Sequence, residues 1–325
     1  MENAALQTST PGAVLVYKTQ EEAKQIVDAF IEQYPSRPSS RYTYRHNLYQ
    51  FVAWVYNTGR NLDTLTKADI VAYVDYMLPA DEDDTNAKSA LTASSYLTAV
   101  KLFYKWAAES LAYPNIAGSV KLPRRVKKFR KEALTAKEAQ ALLAEVEATA
   151  TTRDQAIVNL LMRNALRTIE VCRANVEDLQ TKAGRTILLI KGKGHNEKDT
   201  PLIISPKCKE VLTAYLATRP AAKGKEPLFT GTSYNNPGGR LTTRTINGLV
   251  KQHLRAIGLD DPAYTAHSLR HTCACLLLDE TNGDYAAVQG VLRHSSIDTT
   301  RIYTYHIEER RRLEAAPELL LDHVF

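Results

Sequence analysis

Apolar residues recur at the spacing of an amphipathic helix through the first third of the chain. We predict helices that begin at Thr19 and at Thr66, because each is followed three residues later by an acidic residue, as in a capping box. Two further helices are predicted over about 40–57 and 90–110. Aromatic residues are frequent at 40–57, and we interpret most of them as core. The pattern indicates a small all-α domain.

In one stretch of the second half of the chain, the spacing of apolar residues is not that of a helix. Apolar, β-branched runs at 186–190 and 200–204 flank a Gly/Lys/Asn turn, which indicates a β-hairpin. Thr135 with Glu138 is another capping box. The other apolar segments have helical spacing: about 153–164, 168–175, 207–218, 242–257, 268–281, 284–292, 297–304 and a tail helix. The predicted fold class is mainly α: a helical N-terminal domain and a mixed α+β domain with a small sheet.

Length and composition are those of a folded two-domain protein. The chain has 325 residues, and its 44% apolar and 24% charged content excludes disorder along the whole length. We expect a loose tail at 1–18, a helical domain at 19–117, a linker at 118–131 and a second domain at 132–325. No apolar run reaches membrane-spanning length, and the N-terminus does not resemble a secretory signal. The four cysteines predict buried thiols in a reducing compartment, and hence a cytoplasmic protein.

The charge is concentrated in the predicted linker. The net charge is +6, yet 118–131 alone holds seven basic residues and no acidic one. Such a segment can be a solvated connection, or it can follow a phosphate backbone and release its counterions. Both interpretations hold together for a linker between two domains that straddle DNA. The candidate DNA-binding residues are Lys121, Arg124, Arg125, Lys127, Lys128, Arg130 and Lys131.

Histidine, arginine and tyrosine form a spaced constellation near the C-terminus. His267 and Arg270 are three residues apart and would share one helix face. His294 and Tyr303 are nine residues apart, so they would lie on opposite faces of a straight helix. A chain break near the serines that follow His294 could direct both to one site. Each of these short patterns is common when it occurs alone.

Two upstream elements supply further candidates. Arg167 is followed by Glu170, which we expect to orient it and to take no chemical step; a simple surface ion pair is the alternative. The hairpin turn supplies Lys193. His271 and Thr272, which follow Arg270, are expected to be structural.

Taken together, these motifs resemble the tyrosine recombinase (phage integrase) family, in particular its Xer-like two-domain members. The elements occur in the family's order: A-L-R-T-I-E-V at 165–171, I-K-G-K-G at 190–194, H-S-L-R-H-T at 267–272 and L-R-H-S-S-I-D-T-T-R-I-Y at 292–303. The resemblance implies a helical core-binding domain before a catalytic domain. It also implies a catalytic set of Arg167, Lys193, His267, Arg270, His294 and the nucleophile Tyr303, with Tyr305 the less favoured tyrosine.

The chain departs from the family pattern at two places. The family usually has Gly before the last histidine, where this chain has Arg293. The hairpin turn is one residue longer than usual, so Lys191 and Lys198 remain alternatives to Lys193.

The residue types suit strand cleavage at a phosphodiester. Arginine forks onto phosphate and is always charged, so two arginines can stabilise the charge that develops when a tyrosine hydroxyl attacks. Histidines can donate to the phosphate or accept the tyrosine proton, and a lysine can protonate the leaving 5′-oxygen. The phosphotyrosine bond retains the energy needed for resealing. We therefore expect no cofactor and no metal.

The favoured function is a site-specific recombinase that cleaves and rejoins DNA through a 3′-phosphotyrosyl intermediate. Its biological outcome would be integration, excision, inversion or dimer resolution, and we expect an association with mobile elements. A type IB topoisomerase-like activity and a non-catalytic DNA-binding regulator are the alternatives. The expected partners are double-stranded DNA with inverted-repeat half-sites and further copies of the chain, as a homo-tetramer on two DNA sites, with no membrane. The apolar C-terminal residues 312–325 would link protomers in that assembly or pack on their own domain.

Overall fold

The computed structural model describes residues 19–79, 87–123, 132–191, 197–232, 234 and 237–293. The chain divides into two compact units, 1–128 and 129–325. The point of division lies within the segment 118–131.

The N-terminal unit consists of helices, as predicted. Thr19 caps the first of them: its Oγ1 accepts from the backbone N–H of Glu22 at 3.2 Å, and the Glu22 carboxylate accepts from the backbone N–H of Thr19 at 3.1 Å. Thr66 and Asp69 form the second predicted capping box. The helices are α1 (Gln20–Gln33), α2 (Pro38–Asn57), α3 (Lys67–Met77) and α4 (Ala90–Leu111).

Aromatic residues fill the core of this unit. Phe51 and Trp54 of α2 are buried and pack on Tyr73 of α3, with ring centroids 4.9 and 5.0 Å apart. The interpretation of the α2 aromatics as core is confirmed for these two rings, whereas Tyr42 is 74% exposed. Val120 belongs to the same core, so the packed unit extends into the first residues of the predicted linker.

The second unit combines seven helices with one small sheet among its described residues. The three strands of this sheet pair antiparallel in chain order, with Leu188 of the second strand opposite Leu202 of the third. The predicted hairpin, formed by the second and third strands, is confirmed, and the first strand is an addition. The elements are α5 (Ala136–Thr149), α6 (Thr152–Arg163), α7 (Thr168–Arg173), β1 (Leu179–Lys182), β2 (Arg185–Ile190), β3 (Thr200–Ile203), α8 (Pro206–Ala217), α9 (Thr243–Ala256), α10 (Ala266–Glu280) and α11 (Tyr285–Leu292).

Helix α10 is largely buried and connects distant parts of the chain. Thr272 is fully buried, and its Oγ1 accepts from the backbone N–H of Leu134 at 2.8 Å and donates to the Ser268 carbonyl at 2.8 Å. The segment that follows the linker is thereby fixed to α10, and Thr272 has the structural position expected for it. All four cysteines are buried, as predicted, and none of them forms a disulfide.

Candidate functional site

The turn between α6 and α7 fixes Arg167 and Glu170. Arg167 is the N-terminal cap of α7, and its backbone N–H donates to Glu170 Oε2 at 2.8 Å. Its Nη1 donates to the other oxygen, Oε1, also at 2.8 Å. The Glu170 side chain is 5% exposed and that of Arg167 is 27% exposed, so this pair differs from the surface ion pair considered as an alternative. Ala165, two residues before Arg167, has a φ of +49°, which turns the chain sharply.

The first turns of α10 present His267 and Arg270 differently. His267 is exposed, whereas Arg270 is 1% exposed and is the largest fully buried side chain described. The Nη1 of Arg270 donates to the carbonyl of Ala165, and its Nη2 donates to the carbonyl of Leu292. Arg270 therefore joins the turn before α7 to the end of α11.

A separate small core holds these two carbonyls in place. Ala165 and Leu292 belong to an apolar cluster with residues of α10 and α11, among them Leu278 and Val288. Cys273 of this cluster is buried, and burial raises the pKa of its thiol to about 11 although Arg270 and Arg293 act to lower it. A thiol in that setting acts as packing, not as a nucleophile, at neutral pH.

Arg293, the departure from the family pattern, also reaches this site. Its Nη2 donates to Glu170 Oε2 and to the Ala165 carbonyl, both at 3.0 Å. Three arginines thus meet at the turn before α7, and sequence reasoning did not foresee the third. The available signal was an arginine at a position where the family uses glycine.

A groove of about 740 Å³ runs beside Arg167 and His267. Its wall is the outer face of α9, which presents Arg244, Asn247 and Lys251 opposite a buried apolar face. These three were not candidates from the sequence, although their spacing of three and four residues along one helix is visible there.

The alternatives for the hairpin lysine differ in their surroundings. Lys198 Nζ forms an ion pair with Asp178, whose carboxylate also accepts from the backbone N–H of Asn175 at 2.6 Å. The Lys198 ammonium group is therefore held at Asp178, which directly precedes β1. Lys191 directly follows β2, and Lys193 lies outside the described residues.

Several residues predicted from the sequence are not among those that the structure describes. His294, Tyr303 and Tyr305 lie outside the described part of the chain, and so do all the linker candidates except Lys121, which is exposed. Over the described ranges, no group of three or more His, Cys, Asp or Glu side chains could hold a metal ion. No helix in those ranges is long and apolar enough to cross a membrane.

The fold is shared with solved structures of site-specific recombinases. A crystal structure of XerH site-specific recombinase bound to palindromic difH substrate superposes with a TM-score of 0.71 at 18% identity, covering 92% of this chain and 84% of that one. This likeness confirms the predicted fold class.

Family models and sequence relatives give the assignment. Residues 132–310 match the phage integrase family, and residues 19–111 match the phage integrase N-terminal SAM-like domain. Tyrosine recombinase XerC of Thermodesulfovibrio yellowstonii is 32% identical over 242 residues, 72% of this chain and 77% of that protein. Tyrosine recombinase XerC of Caldanaerobacter subterraneus is 32% identical over 184 residues, 56% of this chain and only 49% of that protein. The chain belongs to the phage integrase family.

The family resemblance inferred from the four motifs is therefore confirmed, and with it the prediction of a DNA-recombining enzyme of the tyrosine class. The comparisons give no support to a topoisomerase or to a non-catalytic regulator.

Proposed function

We propose that the chain cleaves one DNA strand by attack of Tyr303 on the scissile phosphate, and that it rejoins strands from the resulting 3′-phosphotyrosyl bond. One observation carries this proposal. Arg167 and Arg270, more than a hundred residues apart in sequence, meet at the turn around Ala165, and His267 lines the same groove as Arg167. A guanidinium and an exposed imidazole on one groove, with a second guanidinium held at the adjoining turn, are groups that can bind a phosphate and stabilise its transition state.

The remaining catalytic roles follow from the family pattern. His294 would assist at the phosphate, and Lys193 would protonate the leaving 5′-oxygen. Lys198 is a weaker candidate for that proton transfer because its ammonium group pairs with buried Asp178. Glu170 supports the site by holding Arg167 and takes no chemical step. No cofactor or metal is required by this chemistry, because arginines supply the positive charge.

Both units are proposed to bind the DNA. The catalytic unit would contact it along the groove lined by Arg244, Asn247 and Lys251. The basic linker 118–131 would follow the phosphate backbone between a core-binding domain at 19–117 and a catalytic domain at 132–325.

The assembly proposed is a homo-tetramer on two DNA sites with inverted-repeat half-sites. Head-to-tail donation of the apolar segment 312–325 to a neighbour would close such a ring. The chain would work in the cytoplasm on chromosomal or mobile-element DNA.

A suicide substrate tests this function. DNA nicked beside the cleavage position should trap a covalent adduct with the wild-type chain. Tyr303→Phe should form none, and Tyr305→Phe, the matched control two residues away, should form it. An adduct with Tyr303→Phe would refute the assignment.

A further inference from the structure

Arg293 occupies a backbone position that disfavours arginine. It ends α11 with φ +55° and ψ +47°, in the left-handed region where a side chain meets steric resistance and glycine meets none. Glycine is also the residue that the family pattern favours here. An arginine at this position needs a compensating interaction of its side chain.

The compensating interaction is the ion pair that Arg293 forms with Glu170 in the candidate site. The side chain of Arg293 is 10% exposed, and its Nη2 is 3.0 Å from Glu170 Oε2. Nη1 donates to the carbonyl of Val291 at 2.7 Å, which fixes the guanidinium plane from its own helix end. Burial lowers the pKa of Arg293, and the Glu170 carboxylate opposes this effect.

Glu170 therefore has two cationic partners within the described part of the chain. Arg167 binds Oε1 and Arg293 binds Oε2. One buried carboxylate between two guanidiniums leaves one positive charge uncompensated. A buried carboxylate needs at least one cation, because an unpaired buried charge is strongly unfavourable.

The two arginines differ in access. The Arg167 side chain is more exposed than that of Arg293, at 27% against 10%, and it lines the groove beside His267. When a phosphate enters, Arg167 can turn all of its donors to it without leaving a buried carboxylate unpaired, because Glu170 keeps Arg293 as a partner.

We infer that Arg293 is the resident counter-cation of Glu170, and that it frees Arg167 to bind the scissile phosphate. Arg293 is thus a positioning residue that acts through Glu170 and Arg167. This inference rests on the proposed strand cleavage and adds to it a residue that replaces the family's glycine.

The test is a double-mutant cycle on the suicide substrate, read as single-turnover cleavage rate at saturating DNA together with half-site affinity. Arg293→Gly relieves the backbone, so the variant should fold, as checked by its melting curve. It should cleave about tenfold more slowly, the loss that corresponds to one charge-assisted hydrogen bond, with affinity nearly unchanged. Arg293→Lys keeps a cation beside Glu170 and should recover most of the rate.

The cycle distinguishes this role from a general structural one. Once Glu170→Gln removes the negative charge, the further change Arg293→Gly should have almost no effect on the rate. Arg255→Ala, which removes an exposed ion pair with Asp260, is the control for loss of an arginine.

Three results would overturn the inference. Arg293→Gly could cleave at the wild-type rate, or it could lose the same factor in both Glu170 backgrounds, which would mean that Arg293 acts independently of Glu170. A wild-type chain that forms no Tyr303 adduct would refute the proposed function and this inference with it, whereas the first two results refute the inference alone.

Discussion

Replacing Thr272 by valine tests whether this buried hydroxyl, two residues after Arg270, is structural. Valine has nearly the same shape but no oxygen, so the backbone N–H of Leu134, which is itself buried, loses its 2.8 Å acceptor. A buried donor without a partner costs about 1–3 kcal/mol. For a unit of this size, a loss of about 2 kcal/mol lowers the melting temperature by about 4–8 °C.

The assay is calorimetry of the full chain, because two units need not unfold in one transition. We expect only the transition of the catalytic unit to move, and the cleavage rate of the folded variant to equal that of the wild type. Thr281→Val is the matched control: Thr281, which directly follows α10, is exposed and its Oγ1 donates to the carbonyl of Leu277 in that helix at 2.7 Å. Its effect should stay within about 0.5 kcal/mol.

Two results would refute the reasoning. Equal melting temperatures for Thr272→Val and Thr281→Val would show that the bond to Leu134 contributes nothing. A stable Thr272→Val chain that no longer cleaves would assign the hydroxyl a role in the chemistry.

Four further predictions concern the proposed chemistry and assembly. Arg270→Ala should abolish cleavage but keep DNA binding, since most affinity comes from other phosphate contacts; equal loss of both would contradict its role. A 5′-bridging phosphorothiolate, whose leaving group needs no proton, should rescue Lys193→Ala but not Arg270→Ala. Rescue of a Lys198 variant instead would assign protonation of the leaving 5′-oxygen to Lys198. Deletion of 314–325 should leave binding of one half-site intact and abolish cooperative filling of the second, whereas retained cooperativity would place the segment on its own domain. Weaker binding with a flatter salt dependence is expected when the linker is neutralised, and an unchanged slope would exclude phosphate contact; the residues changed together are Arg124, Arg125, Lys127 and Lys128.

The helices were predictable because their signals are local. Capping boxes at Thr19, Thr66 and Thr135 place three helix starts, and each appears in the structure at the predicted residue. The β2–β3 hairpin was also visible as two apolar, β-branched runs around a turn. Strand β1 was missed because its sequence, Leu-Gln-Thr-Lys, has a single apolar residue and all but the first of its positions are exposed. Its strand character comes from pairing with β2, which no local pattern records.

Candidate site residues could be named from the sequence, but the contacts among them could not. The spacing of His267 and Arg270 indicates a shared helix face, yet the structure leaves the first exposed and buries the second. The burial of Arg270 depends on two backbone carbonyls from distant segments, and a backbone acceptor has no signature in the sequence. From the sequence, Arg293 could be recognised only as a departure from the family's glycine. Its left-handed backbone conformation and its hydrogen bond to Glu170 depend on the tertiary structure.

Arg270 is held by backbone carbonyls, so the small apolar cluster around Ala165 and Leu292 affects its position. The two acceptors that hold Arg270 belong to residues of this cluster, so the position of the guanidinium depends on apolar packing as much as on charge. A cavity made by truncating Leu278 would let α10 and α11 shift, and a carbonyl that moves by an ångström weakens a directional hydrogen bond steeply. Arg293 connects the same Ala165 carbonyl to Glu170 and so to Arg167. We therefore expect a change in the apolar cluster to alter the positions of Arg270 and Arg293, and through Glu170 the position of Arg167.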